Sequence, residues 1–174
     1  MTSLPEARFE ALVRAVGEPL HRYLLRRADP AAVDDVLAET LLVLWRRIDD
    51  VPQLDDVLPW CYGVARGCLA NARRAERRRL RLVDKLAWTS PVSAPAEHTE
   101  LYDALRTLGE IDREVVLLWA WEGLTPRGIA EVTGLTANAV SIRLHRAKKK
   151  LAAELERKNG VASGQEQVTR GSEL

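Results

Sequence analysis

The run Thr125-Pro126-Arg127-Gly128-Ile129-Ala130-Glu131-Val132-Thr133-Gly134-Leu135-Thr136, continued by Ala137-Asn138-Ala139-Val140-Ser141-Ile142-Arg143-Leu144-His145-Arg146-Ala147-Lys148-Lys149-Lys150-Leu151, reads as two helices around a tight turn. Thr125 can N-cap the first helix. Pro126 then sits at the first helical position, where its missing N–H costs nothing. Ile129, Ala130 and Val132 give this helix an apolar side. Gly134 suits the positive φ that closes a helix, Leu135 can plug a core, and Thr136 can cap the second helix. Two helices joined by a short turn containing Gly form a helix-turn-helix pattern. Steps of four, three and four carry Val140, Leu144, Ala147 and Leu151 inward. Asn138, Ser141, Ile142, His145 and Lys149 fall on the opposite side, with Arg143, Arg146, Lys148 and Lys150 on the flanks. Polar residues near the start of such a helix reach base edges in the major groove, and a basic end meets phosphates. The plainer alternative is an αα-hairpin with a solvated basic face.

Outward from this run, the chain of 174 residues suits one or two small domains. It is 47% hydrophobic and 29% charged, an ordinary globular composition, and its net charge of +1 points to no partner. The distribution of that charge is more informative than its sum. No apolar run approaches the length of a membrane span. Glu6, Arg8, Glu10 and Arg14 interrupt any signal-peptide core, so a cytoplasmic protein is expected. Cys61 and Cys68 lie two turns apart in one predicted helix, too far for a disulfide. Buried reduced thiols follow, and no metal-ligand spacing is present. Alternating apolar–polar runs are absent while Ala, Leu, Arg and Glu dominate, so the fold is expected to be all-α.

The periodicity predicts a first helix from about Pro5 to Arg27, striped by Phe9, Leu12, Val13, Val16, Leu20, Tyr23 and Leu24. Gly17 and Pro19 threaten a kink near its middle. Asp29-Pro30 marks a turn. A second helix follows from about Ala31 to Ile48, with Val33, Val36, Leu37, Thr40, Leu41, Leu44, Trp45 and Ile48 in one register. Asp34, Asp35 and Glu39 lie outside that stripe, and so do Leu42 and Val43, which either widen the core face or form a docking surface. The third helix begins near Val57 or Pro59 and turns Trp60, Cys61, Val64, Ala65, Cys68, Leu69 and Ala72 inward. It then becomes basic, with Arg73, Arg74, Arg77, Arg78, Arg79 and Arg81 after Arg66, a density that suits either phosphate contact or a solvated face.

Thr89-Ser90-Pro91-Val92-Ser93-Ala94-Pro95-Ala96 has the composition of a flexible linker, here placed at residues 87–98. It separates an N-terminal domain of about residues 1–86 from a C-terminal one of about 99–158. The second domain opens with a helix from Glu100 to Leu108. Another from Asp112 to Trp121 follows, with Val115, Val116 or Leu118, and Trp119 turned inward and Gly123 ending it. Residues 159–174, rich in Gly, Ser, Gln and Glu, read as a disordered tail.

Two stretches carry a resemblance to a known family. Asp34-Asp35-Val36-Leu37-Ala38-Glu39-Thr40-Leu41-Leu42-Val43-Leu44-Trp45-Arg46-Arg47, with Pro59-Trp60-Cys61-Tyr62-Gly63-Val64-Ala65-Arg66, is similar to region two of the extracytoplasmic-function (ECF) sigma factors of the sigma-70 family. The residues from Leu108 to Leu118, Glu122-Gly123-Leu124-Thr125, Ile129-Ala130-Glu131 and Arg143-Leu144-His145-Arg146-Ala147 resemble its region four. The resemblance runs from about residue 5 to residue 156.

It implies a protein that is not an enzyme and needs no cofactor or metal. Such a protein binds core RNA polymerase, brings it to promoter DNA and promotes opening. By motif match, Asp35, Glu39, Leu42 and Arg46 would meet the polymerase, which would also explain outward Leu42 and Val43. Arg66, Asn71, Arg73, Arg74 and Arg77 would meet the −10 element, where unstacked single strand must be captured. Thr136, Asn138, Ser141, Ile142, Arg143, His145, Arg146 and Lys149 would meet the −35 element. Family members are often held inactive by an anti-sigma factor, and they work at the nucleoid without entering a membrane. The chain departs from the usual pattern at Ala38, Gly67, Asn71 and Ser141-Ile142. A stand-alone helix-turn-helix regulator is the competing reading, but it leaves the acidic helix around Asp35 without a role. An enzyme is disfavoured: there are three His (His21, His98 and His145), no Gly-rich phosphate loop, and no convergent acid, base or nucleophile.

Overall fold

The computed structural model describes residues 4–52, 57–83 and 99–169, and every regular element among them is a helix. The elements are α1 (Leu4–Leu25), α2 (Val33–Arg46), α3 (Val57–Val83), α4 (Thr99–Arg106), α5 (Glu110–Ala120), α6 (Pro126–Thr133) and α7 (Ala137–Thr169). The linker expected at residues 87–98 lies outside the described residues. The chain forms two compact units, one holding α1, α2, α3 and α6, the other α4, α5 and α7. The spacing of the sequence groups α6 with the helices that flank it instead.

In the first unit, α1, α2 and α3 pack against one another. α1 buries Leu12, Val16, Leu20, Tyr23 and Leu24, and runs unbroken through Pro19. A proline inside a helix costs about 3 kcal/mol. Burying Leu20 and Leu24 just beyond it returns about 1.5–3 kcal/mol each, so the helix continues. A short 3-10 turn, Pro30–Ala32, follows, and the Asp29 carboxylate caps it by accepting from Ala31 N at 2.9 Å.

α2 buries Val33, Val36, Thr40 and Leu44. The buried Thr40 hydroxyl is satisfied by donating to Val36 O at 2.7 Å. Trp45 corrects the expected stripe: it is 36% exposed. It lies one residue, or about 100°, round from Leu44. Its indole therefore sits at the margin, edge-on to Phe9 with centroids 5.2 Å apart.

The first half of α3 buries Val57, Cys61, Tyr62, Ala65, Cys68 and Leu69. Tyr62 was not part of the expected stripe, and its ring packs on Tyr23 at 5.0 Å. Trp60 and Val64 are only half-buried. Trp60 receives the Arg47 guanidinium, 5.0 Å from its ring centroid. Cys61 and Cys68 are buried free thiols.

In the second unit, α4 and α5 both pack on α7. The last carbonyls of a helix lack partners within it. Around the end of α4 they are met by cations: Arg113 donates to Leu105 O at 2.9 Å and to Leu108 O at 3.1 Å, and Lys150 Nζ donates to Thr107 O at 2.6 Å. α5 buries the run Val115–Leu118. Trp119 was expected inside and is 41% exposed, its ring covered by Lys148 Nζ at 4.1 Å. Burial covers the four consecutive residues Val115–Leu118, and Trp119 follows directly, one residue before the end of α5.

α7 is described to Thr169, beyond the Asn159 boundary at which composition predicts disorder. Once nucleated, a helix gains one hydrogen bond per residue fixed. Gly160 and Gly164 therefore weaken this extension without ending it. The rest of that tail, residues 170–174, lies outside the described residues.

Candidate nucleic-acid interface

The outer face of α7 is built by its cap and its buried row. Gly134 closes α6 with φ +74° and donates to Ala130 O at 2.8 Å. Two residues later Thr136 Oγ1 accepts from Ala139 N at 3.1 Å, and Val140 N donates to Thr136 O at 2.9 Å. The cap fixes where the first turn begins. Val140, Leu144, Ala147 and Leu151 are all buried, as the spacing predicts. Because that row is fixed, the opposite row is fixed too: Asn138, Ser141, Ile142, His145, Arg146 and Lys149 are exposed. Ser141 Oγ donates to Ala137 O at 3.0 Å. Its hydroxyl hydrogen is thereby committed, which leaves its lone pairs open to an outside donor.

Arg143 differs from its neighbours. It is half-buried, and its guanidinium pairs with Asp112 of α5 at 2.7 Å. Nothing local in the sequence announces this pair, whose members stand 31 residues apart. Lys148 covers Trp119 and Lys150 closes α4, so these two flanking cations also have partners inside the protein.

A second basic surface lies on α3. Every residue from Arg73 to Arg81 is exposed. Like charges at such spacing would repel in isolation. Glu76 relieves part of this by accepting from Arg79 at 2.9 Å, and the same contact lowers the Glu76 pKa and raises that of Arg79. Of the five residues expected at the −10 element, Arg66 is half-buried, Arg73 donates to the Arg27 carbonyl at 2.5 Å, and Arg74 donates to the Asn71 side chain. Arg73 is therefore partly used to finish α1. Asn71, Arg74 and Arg77 are exposed on the surface.

A third surface is carried by α2. Asp35, Glu39, Leu42 and Arg46 are all exposed, at steps of four, three and four, so they share one face. Leu42 is 46% exposed, while Val43 is half-buried at the edge of the core. The sequence leaves Leu42 open between core and surface; the structure puts it on the surface. Leu42 therefore lies among two carboxylates and a guanidinium with Trp45, 36% exposed, three residues on, so this face combines charge with more than one apolar side chain.

Among the described residues no three His, Cys, Asp or Glu side chains gather as a metal site, and no helix is long and apolar enough to cross a membrane. The unit of α1, α2 and α3 thus carries an arginine-rich edge and an acidic–apolar face, and α7 carries a polar and basic outer row. The model of the Sigma-70 region 2 family matches residues 12–79, and that of Sigma-70, region 4 matches residues 98–151. The ECF RNA polymerase sigma factor SigF of Caulobacter vibrioides is 32% identical, over 83% of this chain and 84% of its own. The RNA polymerase sigma factor CnrH of Cupriavidus metallidurans is 30% identical, over 82% of this chain and 87% of its own. A solved structure of CnrH in complex with the cytosolic domain of CnrY covers 86% of this chain and 88% of that one, with a TM-score of 0.59 and 26% identity.

The chain belongs to the sigma-70 family, in its ECF branch. It is a transcription initiation factor and not an enzyme: it binds core RNA polymerase, recognises the −10 and −35 promoter elements and promotes initiation in the cytoplasm.

Proposed function

We propose that this sigma factor divides its work among the three surfaces described above. The α2 face of Asp35, Glu39, Leu42 and Arg46 docks core polymerase. Asn71, Arg74 and Arg77 of α3, with Arg66 and Arg73 behind them, hold the −10 strand. The α7 face reads the −35 element through Asn138, Ser141, Ile142 and His145, with Arg146 and Lys149 on phosphates and Thr136 setting the helix start. The corresponding domains are residues 1–86 and 99–158, with 87–98 as the linker. The observation that carries this reading is the exposure of Leu42 among Asp35, Glu39 and Arg46 on a helix whose opposite row, Val33, Val36, Thr40 and Leu44, is buried.

The same reading places the protein at the nucleoid when it is active. It also leaves room for a protein that masks the docking face, since CnrH has been solved with the cytosolic domain of CnrY. Run-off transcription with core polymerase on genomic fragments tests the whole scheme. Wild type should give discrete start sites. A variant carrying Glu39→Arg and Leu42→Asp should give none and should fail to bind core. Specific DNA binding without core, together with no effect of core on promoter choice, would instead identify a stand-alone regulator.

A further inference from the structure

We infer that Ile142 is a specificity residue for promoter recognition, reading the 5-methyl group of a thymine in the −35 element. This rests on the assignment of the outer α7 face to that element. Ile142 is 44% exposed, and among residues 137–157 of α7 it alone of the large apolar side chains is open to solvent. Its surroundings are polar: Asn138 one turn before, Ser141 beside it, and His145 and Arg146 one turn after, all exposed. A protein-docking face gathers several apolar side chains around such a residue. Here the other exposed large hydrophobics of the same unit, Leu101 and Trp119, are on α4 and α5, and Trp119 is capped by Lys148.

What a major groove offers to a lone aliphatic side chain between polar ones is the thymine methyl, the only apolar group on its floor. A β-branched side chain has essentially one rotamer in a helix, so Ile142 meets the methyl with little ordering cost. Its position, one turn into α7 beyond Asn138, is within the part of a recognition helix that reaches base edges.

The test uses holoenzyme assembled from the full chain and core polymerase, on a promoter that wild type selects from a randomised pool. Each thymine of the −35 element is replaced in turn by deoxyuridine, which removes only the methyl. Wild type should bind about fourfold more weakly at one or two positions, the worth of one buried methyl-sized group. Ile142→Ala should bind the thymine promoter more weakly and be indifferent to deoxyuridine there. Ile142→Val should keep part of the difference. Circular dichroism checks that the variants, altered at an exposed position, stay folded. If scrambling the −35 element does not weaken wild type, the assignment of α7 fails and the inference falls with it. If scrambling weakens binding but deoxyuridine never does, or Ile142→Ala keeps the full deoxyuridine penalty, the assignment stands and the inference is overturned. Unchanged DNA preference in Ile142→Ala also overturns it and gives the apolar surface to a protein partner.

Discussion

Arg143 Nη1 lies 2.7 Å from Asp112 Oδ1, a contact that ties α7 to the first turn of α5. Asp112 is favoured there twice, by the guanidinium and by the positive end of the α5 dipole. Two of the helices in this unit are thus held in register by a charge pair on top of their apolar contact. Arg143, which the sequence groups with the phosphate-binding cations, is oriented toward the protein instead.

This pair makes a prediction that separates Arg143 from its basic neighbours. The two side chains are 39% and 35% exposed, so solvent screens them and the pair is worth about 0.5–1 kcal/mol. Asp112→Asn should lower stability by that amount in urea melts. Arg143→Ala should do the same while leaving the salt dependence of promoter binding nearly unchanged. A drop of a full unit in the salt slope would return Arg143 to the phosphate contacts.

The α2 face makes the second. Glu39 and Leu42 are exposed and outside the buried row, so Glu39→Arg with Leu42→Asp should change stability by no more than about 0.5 kcal/mol. Core binding in a pull-down should nevertheless be lost. Undiminished core affinity in the double variant would move the docking surface elsewhere.

How much of this was legible beforehand follows the range of the interactions. Val140, Leu144, Ala147 and Leu151 could be read as core because helical period is local and one face must be apolar. The Thr136 cap and the positive φ of Gly134 are local too. Trp45 is misplaced because hydrophobicity does not say on which side of a stripe's margin a residue falls, and Trp119 because it does not say how near the end of α5 the packing stops. Each is resolved by one distant partner, Phe9 or Lys148. Arg143, Arg73 and Lys150 look alike as cations in the sequence. Only the approach of Asp112, the Arg27 carbonyl and the Thr107 carbonyl shows which of them also have a partner within the protein.

The third prediction concerns the start of α7. Removing the Thr136 hydroxyl leaves Ala139 N without its cap, so Thr136→Ala should cost about 1 kcal/mol. Gly134→Ala should cost a further 1–2 kcal/mol or about that, because its φ of +74° is strained for any residue with a Cβ. Both variants should bind −35 DNA less well in proportion to the lost helicity of the first turn. Thr136→Ser should restore the cap and the binding together.

Burial pushes the Cys61 thiol from its ordinary 9.0 up to about 12, and Cys68 is raised in the same sense. A thiol that holds its proton more tightly when folded stabilises the protein fully below its unfolded pKa. That contribution is then lost as pH rises from about 9 toward 12. Urea melts across that window should therefore fall less steeply for Cys61→Ala than for wild type. At pH 8 iodoacetamide should spare both native thiols and label them once the protein is unfolded. Rapid native labelling of Cys61 would show that its helix opens far more readily than its packing implies.

The last prediction sorts the α7 side chains by what they touch. Asn138 is exposed in the first turn of α7, directly after the Thr136 cap, where a recognition helix lies deepest in the groove. Lys149 is exposed three turns later, where the helix leaves the groove toward the backbone. A lost base contact should cost roughly 1–3 kcal/mol and relax preference at one base pair. A lost phosphate contact should weaken every sequence alike and reduce the salt slope by about one unit. Asn138→Ala and Lys149→Ala, each assayed as holoenzyme on promoter variants at several salt concentrations, give the two signatures side by side. Asn138→Ala should flatten the preference at one −35 position with an unchanged salt slope, and Lys149→Ala should do the reverse. If Asn138→Ala weakens all variants equally while Lys149→Ala changes which base is preferred, the helix enters the groove by its C-terminal turns. The bases would then be read by the side assigned here to the phosphates.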